Sequence, residues 1–129
     1  MDTTCSQKDV STCCTTSSDR FVVACSGGSN VGQVTNLLAV KMTQQGVARM
    51  TCLAALGAHL PAYIESVKDT ELVVLDGCPV ACGKQIVEHI GIKDYKYFVI
   101  SEMGIEKAKR FDQVENDTHV ILGKIIIDL

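Results

Sequence analysis

The sequence lacks an excess of basic residues, a long apolar run and an export signal. With 12 Lys and Arg against 15 Asp and Glu, its formal charge is -3, the wrong sign for a surface that neutralises nucleic-acid phosphates. No stretch approaches the roughly 20 apolar residues that cross a bilayer as a helix. Neither nucleic acid nor membrane is therefore an expected partner. The opening residues, MDTTCSQKDVSTCC, carry no basic n-region and no apolar h-region, so the expectation is a cytoplasmic protein. No internal repeat and no second domain are visible. At 129 residues the chain suits one compact domain with a single core.

What the sequence does have is cysteine: seven, at positions 5, 13, 14, 25, 52, 78 and 82. An odd number without an export signal argues against a disulfide framework. In a reducing compartment, clustered thiols bind metal or do redox chemistry, whereas a lone one is most often a small buried hydrophobe. The fold decides which of them can meet.

Residues 1–19 are rich in Ser and Thr without apolar periodicity and read as a flexible arm. Its Cys5, Cys13 and Cys14 are expected to be individually reactive, able to deliver or accept metal or to form a transient disulfide. Residues 20–129 read as a single domain. Phe21–Ala24 is a short β-prone run. Val31–Gln45 carries apolar residues at helical spacing, with Ser29 or Asn30 to cap its start and Gly46 its end. A second strand is expected over Val47–Leu53, then a loop to Leu60 and a short helix from Pro61 to Val67. Glu71–Leu75 reads as a third strand, Pro79–Ile90 as a helix stopped by Gly91, and Tyr97–Ser101 as a fourth strand. Gly104–Lys109 suggests a helical turn. Asn116–Leu129 fits a helix better than the edge strand that Ile125–Ile127 also allows.

Strands alternating with helices imply crossover units. The expected fold is a small three-layer α/β domain: a four-stranded, mainly parallel sheet in the order 2-1-3-4, helices on both faces. Cys25, Cys52 and Cys78 then all fall at carboxyl ends of strands, the edge where such sheets place ligands. Strands lie about 4.8 Å apart, so three thiols there come within reach of one point. Cys82, four residues beyond Cys78, falls one turn on along the same helix face. Zinc takes thiolates at about 2.3 Å in a tetrahedron, and Cys25, Cys52, Cys78 and Cys82 are the candidate ligands. An iron–sulfur cluster held by the same four is an alternative. So is a thiol-based redox or transfer enzyme, with Cys25 or Cys78 as nucleophile and Cys82 resolving. A helix N-terminus, helped by Lys84, favours ionised sulfur in every case.

The segments Cys25-Ser-Gly-Gly-Ser-Asn-Val-Gly-Gln33, Cys52-Leu-Ala54 with Gly57-Ala58, Asp76-Gly77-Cys78-Pro79 with Cys82, and Gly104-Ile-Glu-Lys107 resemble the DGC domain of small bacterial and archaeal proteins. The likeness covers roughly residues 20–112. It implies zinc chelation by four cysteines, which map onto Cys25, Cys52, Cys78 and Cys82, and it implies no particular biochemical role.

The other polar residues have plainer readings. Gly27, Gly28 and Gly32 match no phosphate-binding loop and read as a structural turn. Ser26, Ser29 and Asn30 are in place to hydrogen-bond thiolates or a substrate. His59 borders the proposed site at most, while His89 lies about 10 Å along the helix from Cys82, too far to share its metal. His119 has no evident partner. Asp76 reads as a helix-entry residue or a support for a metal ligand, and Glu106, Lys107, Lys109 and Arg110 as a solvated face. As an interaction module, the domain would contact another copy of itself through Ile125–Ile127.

Overall fold

The computed structural model describes residues 20–129. The arm expected over residues 1–19, with its three cysteines, lies outside the described residues. The elements run β1 (Arg20–Ala24), α1 (Asn30–Gln44), β2 (Arg49–Met50), α2 (Leu53–Gly57), α3 (Pro61–Val67), β3 (Glu71–Asp76), α4 (Cys82–His89), β4 (Lys96–Val99), a 3-10 turn (Ile100–Glu102) and α5 (Val114–Asp128).

The four strands form one sheet in the order β2-β1-β3-β4, every pair parallel. This is the expected α/β fold and strand order. β1 and β3 occupy the middle because their apolar runs have no polar face to turn to water. Val22, Ala24, Val73 and Leu75 pack under α1 and α5 on one side. Val23, Leu72 and Val74 pack against α2, α3 and α4 on the other, through Leu56, Val67 and Val87.

Local signals work where their partners are close in sequence. Ser29 caps α1, its Oγ accepting from the Gly32 amide at 3.3 Å, and Gly46 takes the left-handed conformation just past the end. Pro61 opens α3. The ambiguous C-terminal segment is a helix, with Thr118, Ile121, Leu122 and Ile125 on its buried side.

Several expectations are corrected. β2 shrinks from seven residues to Arg49–Met50, because Val47 and Ala48 are tied by their amides to the Met42 carbonyl at the end of α1. Its Met50 amide bonds to Thr43 Oγ1 at 3.0 Å, which covers part of an exposed sheet edge. The expected loop after Cys52 contains α2 instead. β4 stops at Val99, where the chain tightens into the 3-10 turn, and Gly104–Lys109 is irregular rather than helical. That segment is nevertheless held: Asn30 Nδ2 donates to the Glu106 carbonyl at 2.9 Å, and Asn30 Oδ1 accepts from the Ala108 amide at 2.6 Å.

The helix expected over Pro79–Ile90 begins three residues late, at Cys82. Cys78 to Ala81 is a turn closed by the Ala81 amide on the Cys78 carbonyl at 3.1 Å, with Pro79 at its second position, where its fixed φ belongs. Ala81 then adopts φ 60° and ψ 44°, a left-handed conformation costing a non-glycine residue roughly 1–2 kcal/mol. Ala81→Gly is accordingly expected to stabilise the fold by about 1 kcal/mol, raising the thermal midpoint by about 4 °C. A midpoint unchanged or lowered in circular dichroism melts would show that this residue is not strained.

Candidate metal centre

All four candidate cysteines are free thiols at the carboxyl edge of the sheet, Cys25 and Cys78 half-buried and Cys52 and Cys82 exposed. Cys25, Cys52 and Cys82 line one cavity of about 450 Å³, together with Met50, Asn36 and Ile86. Each comes from a different element: the end of β1, the residue before α2, and the first residue of α4. Cys78 is placed differently. Because Cys78–Ala81 is a turn, Cys78 and Cys82 do not share a helix face. Cys78 packs against the α1/α5 side of the core, where Lys107 Nζ donates to its Sγ at 3.4 Å.

The Cys25 thiol is pushed above its usual range, first by burial and further by the charges of Asp76 and Cys82. The backbone amides of Gly27 and Gly77 oppose this by hydrogen-bonding the sulfur. A thiol in that setting holds its proton until a cation arrives to offset the crowding of negative groups. Thiols that ionise on binding, with amide support at Cys25, are donors of the kind that zinc takes. Among the described residues, no group of three or more His, Cys, Asp or Glu side chains is arranged to hold a metal ion as it stands.

Asp76 organises this edge. It is 1% exposed, and its Oδ1 accepts from the Gly83 amide at 2.7 Å while Oδ2 accepts from the Lys84 amide at 3.0 Å. It thus caps α4 from six residues before its start, placing a carboxylate on the positive end of the helix. Tyr97 Oη donates to the same Oδ2 at 2.8 Å. Burial, then this bond and the Asp76 charge, push the Tyr97 phenol far up. Tyr95, pushed up to about 12 by burial and by its bond to Glu88, meets the Tyr97 ring edge-on.

Close backbone approach brings the strand ends together. A Cβ on Gly77 would stand 2.8 Å from the Gly32 amide nitrogen, and one on Gly32 would stand 2.7 Å from that of Gly27. The glycine turn is structural: Lys109 Nζ donates to the Gly28 carbonyl and Gln33 Nε2 to that of Gly27, both at 2.8 Å. At the start of α1 the Asn30 amide bonds to the Ala108 carbonyl and the Gly32 amide to Ser29 Oγ, so both are already engaged.

Two sequence readings change here. Ser26, Ser29 and Asn30 hydrogen-bond within the scaffold rather than to thiols. Lys84 lies over the Tyr97 ring, 5.5 Å from its centre, so the lysine that reaches a thiol is Lys107. Lys107 and Lys109 are exposed, as expected of a solvated face, and each also makes a contact with the scaffold. The Gly104-Ile-Glu-Lys107 segment of the family resemblance was the signal that could have singled out Lys107. His59 and His89 sit together, ring centres 5.0 Å apart, beside a separate cavity. His59 is a left-handed residue with φ 61°. Its amide bonds to the Leu56 carbonyl while the Leu60 amide bonds to that of Ala55, the paired bonds of a helix end that ordinarily takes glycine.

A parallel sheet with cysteines at three strand ends, a buried aspartate and a Gly-Cys-Pro turn defines a small α/β thiol-site domain. The family profile of the DGC domain matches residues 21–125, and the chain belongs to that family. It is 33% identical over 88 residues, 67% of each chain, to the "Anaerobic and virulence modulator AnvM" of Pseudomonas aeruginosa. No solved structure matches it. Among the described residues, no helix is long and apolar enough to cross a membrane.

Proposed function

We propose that this protein is a zinc-binding domain whose ligands are Cys25, Cys52, Cys78 and Cys82. The observation that carries the reading is the meeting of Cys25, Cys52 and Cys82 at one cavity, from positions spread over 58 residues of chain. Cys52 and Cys82 are exposed and turn about a single side-chain torsion, so their sulfurs can close on an ion without moving an element. Cys78 reaches the same ion by leaving Lys107, one cation replacing another on its sulfur. Bound zinc supplies positive charge that keeps all four thiols ionised and ties three strand ends together. With four thiolates the ion has no position for water, which favours a structural or metal-handling role over hydrolysis. The modulator role in the name of its Pseudomonas relative fits such a binding protein.

Metal analysis of the full chain purified without chelator tests this. About one zinc per chain is expected, falling well below half in Cys25→Ser, Cys52→Ser and Cys82→Ser. Metal-free protein, or variants that all keep their zinc, would sink the proposal, and iron in place of zinc would point to a cluster.

The contact between Lys107 and Cys78 favours a second reading. The ammonium donates to the Cys78 sulfur at 3.4 Å, a contact that would orient a nucleophilic Cys78 resolved by Cys82. On that reading Lys107→Gln slows alkylation of Cys78 by iodoacetamide in the metal-free protein, and oxidation yields a Cys78–Cys82 disulfide. An unchanged rate would remove its only support.

A further inference from the structure

We propose that His59 and His89 form a second metal site, separate from the thiols, which takes a divalent zinc-like ion with water completing its coordination. Imidazole suits such ions, bonding zinc at about 2.0 Å, and two imidazoles on one tetrahedral ion have ring centres about 5 Å apart. The observed separation is 5.0 Å, with the ring planes 69° apart.

The two rings come from different elements. His59 lies two residues past the end of α2, and His89 is the last residue of α4. Their spacing is set by contact between the two elements, where the Cβ position of Gly57 stands 3.2 Å from Ile86 Cδ1. Both rings line a cavity of about 250 Å³, with Gln85 one helical turn before His89. Gln85 Nε2 is engaged by the Val80 carbonyl at 2.7 Å, which leaves its amide oxygen as a further donor to a cation. Among the described residues, neither imidazole has a hydrogen-bond or ion-pair partner.

The backbone supplies an independent observation. His59 occupies a left-handed position at which glycine is the ordinary residue. The imidazole is thus held at a cost in backbone conformation, which a bound ion would offset. Ile86 borders this cavity and the thiol cavity alike. An ion held by the histidines is therefore a neighbour of the thiols without sharing a ligand with them.

Zinc chloride titrated into the full chain, beyond what the thiols take up, tests the site through the ring carbon-bound proton resonances of the three histidines. The His59 and His89 signals are expected to move together and saturate while His119 stays still. His59→Gly keeps the fold, since glycine suits the backbone there, and His89→Gln preserves the helix. Each is expected to weaken the response of the remaining ring by more than about tenfold, with zinc retained through desalting unchanged. The inference is overturned if His59 and His89 move no more than His119, or if His89 responds normally in His59→Gly. Zinc retained through desalting reports the thiol site alone, so failure of either site is read separately.

Discussion

Asp76→Ala is expected to lower the stability of this protein by about 4 kcal/mol, a large part of the 5–15 kcal/mol typical of a domain. The carboxylate is 1% exposed and accepts from the Gly83 amide, the Lys84 amide and the Tyr97 hydroxyl. Hydrogen bonds to a charged group contribute about 1.5–3 kcal/mol each, and a buried donor left alone costs about 1–3 kcal/mol. These terms overlap because the bonds share one carboxylate, so the expected loss is less than their sum. Asp76→Asn keeps the shape but turns one acceptor into a donor facing another donor, and about 2 kcal/mol is expected. Urea unfolding measures both. A loss under about 1 kcal/mol for the alanine variant would mean that Asp76 does not hold the start of α4. On the zinc proposal, both variants also retain less metal, because Cys82 is the first residue of the helix that Asp76 caps.

Gly77→Ala is the second large effect. Its added methyl would meet the Gly32 amide nitrogen at 2.8 Å and the Val31 carbonyl carbon at 2.9 Å. These are backbone atoms, which cannot rotate aside, so the end of β3 must separate from the start of α1. Overpacking of this kind costs about 3 kcal/mol. Gly32→Ala meets the Gly27 backbone at 2.7–2.9 Å and is expected to cost a similar amount. Since Gly32 takes part in both contacts, the double variant should lose less than the sum of the two. Full additivity in urea unfolding would show that the two contacts are independent. The Gly of the Asp-Gly-Cys stretch is thus required by steric closeness between β3 and α1.

Reading from residues to fold succeeded wherever the deciding interactions were local or periodic. The unbroken apolar runs of β1 and β3 require burial on both faces, and short alternation with helices makes the sheet parallel. The Ser29 cap and Pro61 act within one helical turn of themselves. The last helix was legible from Ile121 and Ile125, four residues apart and both buried.

The thiol edge was legible as a place but not as an arrangement. Spacing alone put Cys78 and Cys82 on one helix face, because nothing within four residues opposes a helix from Pro79. The helix starts at Cys82 because its first amides are capped by Asp76, six residues before it. That leaves Cys78 in a turn beside Lys107, 29 residues further along the chain. Likewise, Lys107 and Lys109 are solvated charges, but that one reaches a thiol depends on Asn30 holding their segment across 76 residues.

Composition, periodicity and turn chemistry were enough to specify a parallel α/β sheet with cysteines along its ligand edge. They act over a few residues, which is the range across which hydrophobic spacing and capping operate. Which thiols share a cavity, which lysine reaches sulfur and which histidines meet depend on contacts between segments far apart in the chain. Those contacts exist only once burial of both sheet faces has brought the helices into place.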